Sequence, residues 1–189
     1  FTGSLILPES LQSIGESAFN WCNFTGTLTL PASLQIIGIN AFKNSPFYSD
    51  IYVAPGNEHF SAQDKILFNK DKTVVIHCLA TKSGNLALPN TVKSIAQNGC
   101  KRITSVTVPE SVSTIYNYSF TNCDELEAVY FKGDVPYIYW PSFDRSTVLY
   151  YIHGKTGWTT PKYISPDYPY DGYKCYPMRS SGGVITVGS

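Results

Sequence analysis

Leu5-Ile6-Leu7-Pro8 leads through Leu11 to Ile14-Gly15-Glu16-Ser17-Ala18-Phe19. The phrase returns from Leu28-Thr29-Leu30-Pro31 to Ile37-Gly38-Ile39-Asn40-Ala41-Phe42. The offset is 23 residues, because 28 − 5 = 23 and 37 − 14 = 23. Apolar residues alternate in L-x-L, the pattern of a strand with one buried face. Proline follows, lacks a backbone N–H, and closes the strand. One unit cannot bury Leu5, Leu7, Leu11, Ile14 and Phe19 alone. Stacked units can, at ~1.5–3 kcal/mol per large side chain. The repeat therefore predicts a solenoid whose successive strands lie parallel in one sheet.

The period runs onward to Ile51/Val53 and then breaks. Between about 55 and 83, the extended runs Lys65–Asn69 and Thr73–His77 flank the polar turn Lys70-Asp71-Lys72. This reads as an inserted β-hairpin in place of a return arc. Leu86/Leu88-Pro89 resumes the repeat in a copy three residues shorter, where Gly99-Cys100 stands in for Ala-Phe. Val106/Val108 and Val129/Phe131 begin regular copies, and Val148 to Ile152 reads as one more strand. The repeat domain is placed at 1–160. The Tyr- and Pro-rich stretch 161–189 is expected to be a cap tail or linker. Phe1-Thr2-Gly3 matches Phe24-Thr25-Gly26, so the chain opens inside a repeat and further repeats are expected N-terminal to it.

Hydrophobic residues make up 43% and charged residues 15%, which excludes a disordered chain. The formal net charge is zero, so no basic excess favours nucleic acid as a partner. No apolar run approaches the ~18 residues of a membrane span. Five cysteines without a C-x-x-C pair do not make a disulfide scaffold. Cys22 and Cys123 each lie three residues after a repeat Phe, the place of a small buried hydrophobe.

The full phrase L-x-L-P-x-x-L-x-x-I-G-x-x-A-F, its copies from Leu86, Val106 and Val129, and the insert Asn57–Cys78 resemble the BspA-like leucine-rich repeat proteins, the Treponema pallidum-type repeat. The end, Phe131-Lys132-Gly133 to Gly157-Trp158, is similar to that family's final repeat. The resemblance implies a right-handed leucine-rich-repeat solenoid with a parallel β-sheet on the concave face. Loops and short helical turns would form the convex face around I-G-x-x-A-F, with one inserted β-hairpin. It also implies a non-enzymatic secreted or cell-surface interaction module, such as an adhesin for a host or matrix protein. It carries no catalytic or binding motif.

The residues themselves offer little chemistry. His59, His77 and His153 lie far apart with no metal-ligand spacing, so no metal, no cofactor and no enzyme activity are expected. Gly154-Lys155-Thr156 lacks the first glycine of a phosphate loop, because Leu149 holds that place. Asp124, Glu125 and Glu127 read as a solvated loop edge.

Two surfaces remain as candidates for binding. With the paired apolar residues inward, the residues between them form an exposed row: Ile6, Thr29, Tyr52, Ala87, Thr107 and Tyr130. The alternative is a carbohydrate site in the aromatic C-terminal region, at Tyr137, Tyr139, Trp140, Tyr168 and Tyr170, where rings could stack on sugars. A third possibility is a structural spacer within a larger surface protein.

Overall fold

The structure, a computed structural model, describes residues 2–45, 49–96, 100–164, 172–181 and 184–187. The chain is a parallel β-solenoid of about seven turns. The L-x-L strands pair laterally in the predicted register. Leu28–Leu30 joins Ile51–Val53, setting Thr29 beside Tyr52. Beyond the insert, Ser83–Ala87, Arg102–Val108, Ala128–Phe131, Val148–Ile152 and Gly172–Ser181 follow one another in a parallel sheet.

The opposite side of each turn differs from the helical turns expected there. Among the described residues it holds a second ladder of two-residue strands, not helix. Ser94–Ile95, Thr114–Ile115 and Tyr137–Ile138 pair in parallel, and Ser13–Ile14 pairs with Ile36–Ile37. The reason is the backbone of the arc. Ser17, Asn40 and Tyr118 occupy one position of the repeat, three after its Ile, and all have positive φ. Trp21, Asn44 and Asn122 do the same four residues later. In each of these three arcs, two left-handed residues break any right-handed helical run. They also aim the arc's N–H groups at the neighbouring turn: Ser17, Phe19 and Trp21 donate to Ile39, Ala41 and Lys43. Gly38 of the motif is required by contact, since a Cβ there would lie 2.4 Å from the Glu16 backbone nitrogen.

The insert is more than a hairpin. Phe60–Gln63, Ile66–Asn69 and Val74–Cys78 form an antiparallel meander whose last strand joins the second ladder beside Ser94–Ile95. Its central strand is buried on both faces. Leu67 packs into an N-terminal core with Leu28, Leu30, Leu34 and Phe42. Ile66 and Phe68 pack into a C-terminal core with Leu86, Val106 and Val129. The insert thus divides the interior into two blocks. Asn57 occupies the place of Leu34 one period on and is buried. Its amide donates to the Pro31 and Leu34 carbonyls, and its oxygen accepts the His59 and Phe60 N–H groups. That redirects the chain into the insert with every polar atom satisfied.

A stacked Phe column runs through the arcs. Phe19 stacks on Phe42 and Phe120 on Phe143, with centroids 5.8 and 5.3 Å apart. Between these pairs the column contains His77, against Phe42, and a disulfide from Cys78 to Cys100. Cys100 stands where the repeat has Phe, so the bond ties the insert to the shortened repeat. Cys22 and Cys123 are buried free thiols, as their repeat position predicts.

Within 161–189, expected to be a cap tail or linker, the described residues include three strands. Gly172–Ser181 adds a strand to the main sheet, and Lys162–Ile164 and Val184–Val187 pair antiparallel to it. Tyr173 is fully buried against Phe143 and Trp140. Its hydroxyl accepts the Ser142 and Phe143 N–H groups. Trp158 stacks on Tyr151 and donates Nε1–H to the Gly133 carbonyl.

Candidate functional surface

The residues between the paired apolar strand positions fall into two aligned segments, exposed or half-exposed, on the outer face of the sheets. Thr29 lies beside Tyr52, and Ala87, Thr107 and Tyr130 follow in lateral register. Ile6 stands at the N-terminal end, 86% exposed and outside any strand. The row is interrupted between Tyr52 and Ala87, where the Ile51–Val53 and Ser83–Ala87 strands belong to separate sheets.

Beyond Tyr130 the row continues through two residues that the repeat pattern did not identify. Tyr130 is paired with Tyr150, and Tyr150 with Tyr176. The rings of Tyr130 and Tyr150 stack at 5.3 Å with planes 18° apart, and Tyr176 lies 6.3 Å from Tyr150. Burial and the neighbouring phenols Tyr130 and Tyr176 hold the Tyr150 phenol above its usual range, so it stays protonated. Because Tyr130 and Tyr150 cover one another's inner faces, that pair presents mainly edges and hydroxyls, with Tyr176 tilted beside it. It therefore suits hydrogen bonding and protein packing better than stacking under a sugar ring. Beside it opens a shallow cleft of about 540 Å³, bordered by Glu125, Glu127, Ser146, Tyr130 and Tyr150. Glu125 is held by Arg102 at 3.8 Å.

The aromatic alternative is dispersed rather than gathered. Tyr137 and Tyr139 lie on the opposite face, in and beside the second ladder, where Tyr139 stacks on Tyr116 at 5.4 Å. Trp140 packs against the core and contacts Tyr173, which withdraws it from an exposed site. Tyr168 and Tyr170 lie outside the described residues.

Reactive groups are committed elsewhere. Cys78 is oxidised to the disulfide, so the adjacent His77 has no thiol beside it. Burial, aided by Asp144 and Asp124, pushes the Cys123 thiol up to about 12, and burial alone takes Cys175 to about 12. Neither forms a thiolate nucleophile near neutral pH. Among the described residues no three His, Cys, Asp or Glu side chains converge as a metal site, and no helix is long and apolar enough to cross a membrane.

Comparison with known proteins agrees with this architecture. The sequence profile of the family described as BspA type leucine rich repeat region matches six copies, over residues 2–73 and 77–162. No curated protein matches the chain significantly. Among solved structures, a leucine-rich repeat protein from Eubacterium ventriosum superposes with a TM-score of 0.61 at 18% identity, covering 76% of this chain and 46% of that one. A leucine rich cell surface protein from Faecalibacterium prausnitzii gives 0.57 at 19% identity, covering 79% and 53%. The pneumococcal vaccine antigen PcpA gives 0.52 at 18% identity, covering 77% and 55%. The chain thus spans about half the length of each of these solved relatives, and the likeness is one of fold.

Proposed function

Because the chain belongs to the BspA-type leucine-rich repeat family, we propose that it is an extracellular or cell-surface interaction module that binds a protein partner across its main sheet. The observation that carries this reading is the row Thr107–Tyr130–Tyr150–Tyr176, a polar edge closed by a stacked tyrosine ladder in strand register. Rigid tyrosines offer large amphipathic contact area at low entropic cost, a common trait of binding surfaces. The partner class inferred from the family resemblance is a host or extracellular-matrix protein, with the chain acting as an adhesin.

The test is binding of the purified chain to immobilised matrix proteins and, in parallel, to a glycan array. A Tyr130→Ala, Tyr150→Ala double variant is expected to lose at least about tenfold in affinity for the protein partner, since two anchors of ~1 kcal/mol or more are removed. Unchanged affinity in a folded double variant would remove the sheet from consideration. Binding only on the glycan array, reduced by Tyr137→Ala or Tyr139→Ala, would favour the carbohydrate reading.

A further inference from the structure

A second surface lies across the molecule, where the insert meets the second ladder. A cleft of about 450 Å³ opens there, walled by Ile37 and Ile39 of the N-terminal turns, by Val74 and Ile76 of the insert, and by Tyr116 and Tyr118 beyond it. Its lining is mainly apolar, and its size falls within the range of ligand pockets, which favour junctions between structural units. Ile39 is 71% exposed at its edge.

The cleft exists because one rung of the ladder is absent. Within the six-stranded ladder, the inner short strands offer carbonyls that the next turn fills. Thr73 and Val75 accept from Ser94 and Ala96, and Ser113 and Ile115 accept from Tyr137 and Tyr139. The equivalent carbonyls of the N-terminal block are those of Gln35 and Ile37. Among the described residues no donor reaches either of them. One period on from Ile36–Ile37 stand His59 and Phe60, and Phe60 begins the antiparallel strand Phe60–Gln63 of the insert instead of a further rung. Ile36–Ile37 is therefore paired on one side only. An open strand edge is a template for a further strand.

Two more features of the cleft point to a ligand. Tyr118 lines it at a φ of 63°, where the other arcs have Ser17 and Asn40. The left-handed backbone itself is shared with Ser17 and Asn40; what is particular to this arc is the aromatic ring it carries into the cleft. The Lys43 ammonium rests 4.0 Å over the Tyr118 ring, bridging the two blocks. Among the described residues Lys43 has no carboxylate partner.

We propose that this cleft binds an extended, apolar segment of a partner protein by strand addition. The segment donates N–H groups to the Gln35 and Ile37 carbonyls. It places alternate apolar side chains between Ile39 and Tyr118, and it sets an acidic group against Lys43. Main-chain bonds supply affinity in this mode and side-chain pockets supply selectivity. The site is separate from the tyrosine ladder and does not depend on the function proposed for it.

The probe is a phage-displayed library of short linear peptides panned on the intact chain. Enriched peptides are expected to alternate apolar residues and to carry an acidic residue, and their own amides should gain hydrogen-exchange protection when bound. Ile39→Gln and Lys43→Gln alter exposed or half-buried side chains and should leave the fold intact. Each should weaken peptide binding by about tenfold, while Tyr130→Ala with Tyr150→Ala leaves it unchanged. The proposal is overturned if no peptide is enriched, if both cleft variants bind the enriched peptides as tightly as the parent, or if only the ladder variant loses them.

Discussion

The turn at residues 5–19 and the turn at residues 138–151 are built from the same repeat and are enclosed to different degrees. In the first, Leu5, Leu7, Leu11 and Phe19 are only half-buried, although their counterparts Leu28, Leu30, Leu34 and Phe42 one turn later are at 0 or 1% exposure. In the second, Phe143 is covered by Tyr173, and Tyr151 by Trp158 and Tyr163. The same apolar position is core or surface according to whether a neighbouring turn lies on it. Each repeat's stability therefore resides largely in its interfaces, as expected of a quasi-one-dimensional stack.

That contrast can be broken most forcefully at the covered end. Tyr173→Ala removes a fully buried ring and leaves the Ser142 and Phe143 N–H groups without their acceptor. A loss of about 4 kcal/mol is expected in chemical denaturation, whereas Tyr173→Phe should cost about 1–2 kcal/mol through the hydroxyl alone. Equal losses would mean that the ring, not its hydrogen bonds, contributes nothing to the closure.

The junction between the blocks offers the next test. The bond from Cys78 to Cys100 closes a loop with a sequence separation of 22. Replacing both by Ser should cost about 3 kcal/mol by the chain-entropy relation. The unfolding transition should also broaden or split, because the bond spans the joint between the insert and the C-terminal stack. A single sharp transition after replacement would show that the packing of Leu67 and Phe68 couples the blocks unaided. The finest comparison is a matched pair. Leu30→Ala should cost about 3 kcal/mol and Leu7→Ala about 1 kcal/mol, since only Leu30 is fully enclosed. Similar values would erase the distinction between the covered and uncovered turns.

Much of this was readable before any coordinates. The 23-residue offset alone gave the register that sets Thr29 beside Tyr52 and Thr107 beside Tyr130. Tyr150 was harder to place on that row because its strand follows Tyr130 by only 20 residues, in a shortened turn. Tyr176 was hidden by Pro169 and Pro177, which read as loop, although Pro177 sits in a strand opposite Tyr151. The second ladder consists of pairs such as Ser94–Ile95, too short to leave an alternating pattern. The wedge at Ile66-Leu67-Phe68 is apolar on both faces, so periodicity could not say that it divides two cores. The cleft follows from that division, and no local stretch of sequence encodes it.

The disulfide also determines how the chain responds to being pulled. Tension applied at the two termini would pass from Cys78 to Cys100 through sulfur, bypassing the strands Ser83–Ala87 and Ser94–Ile95. Those residues would carry no load even after the turns around them had opened. The contour released on full extension would fall short by about 70 Å, the reach of the sequestered segment at ~3.3–3.6 Å per residue. Under such a load, that bond is a built-in limit on stretch.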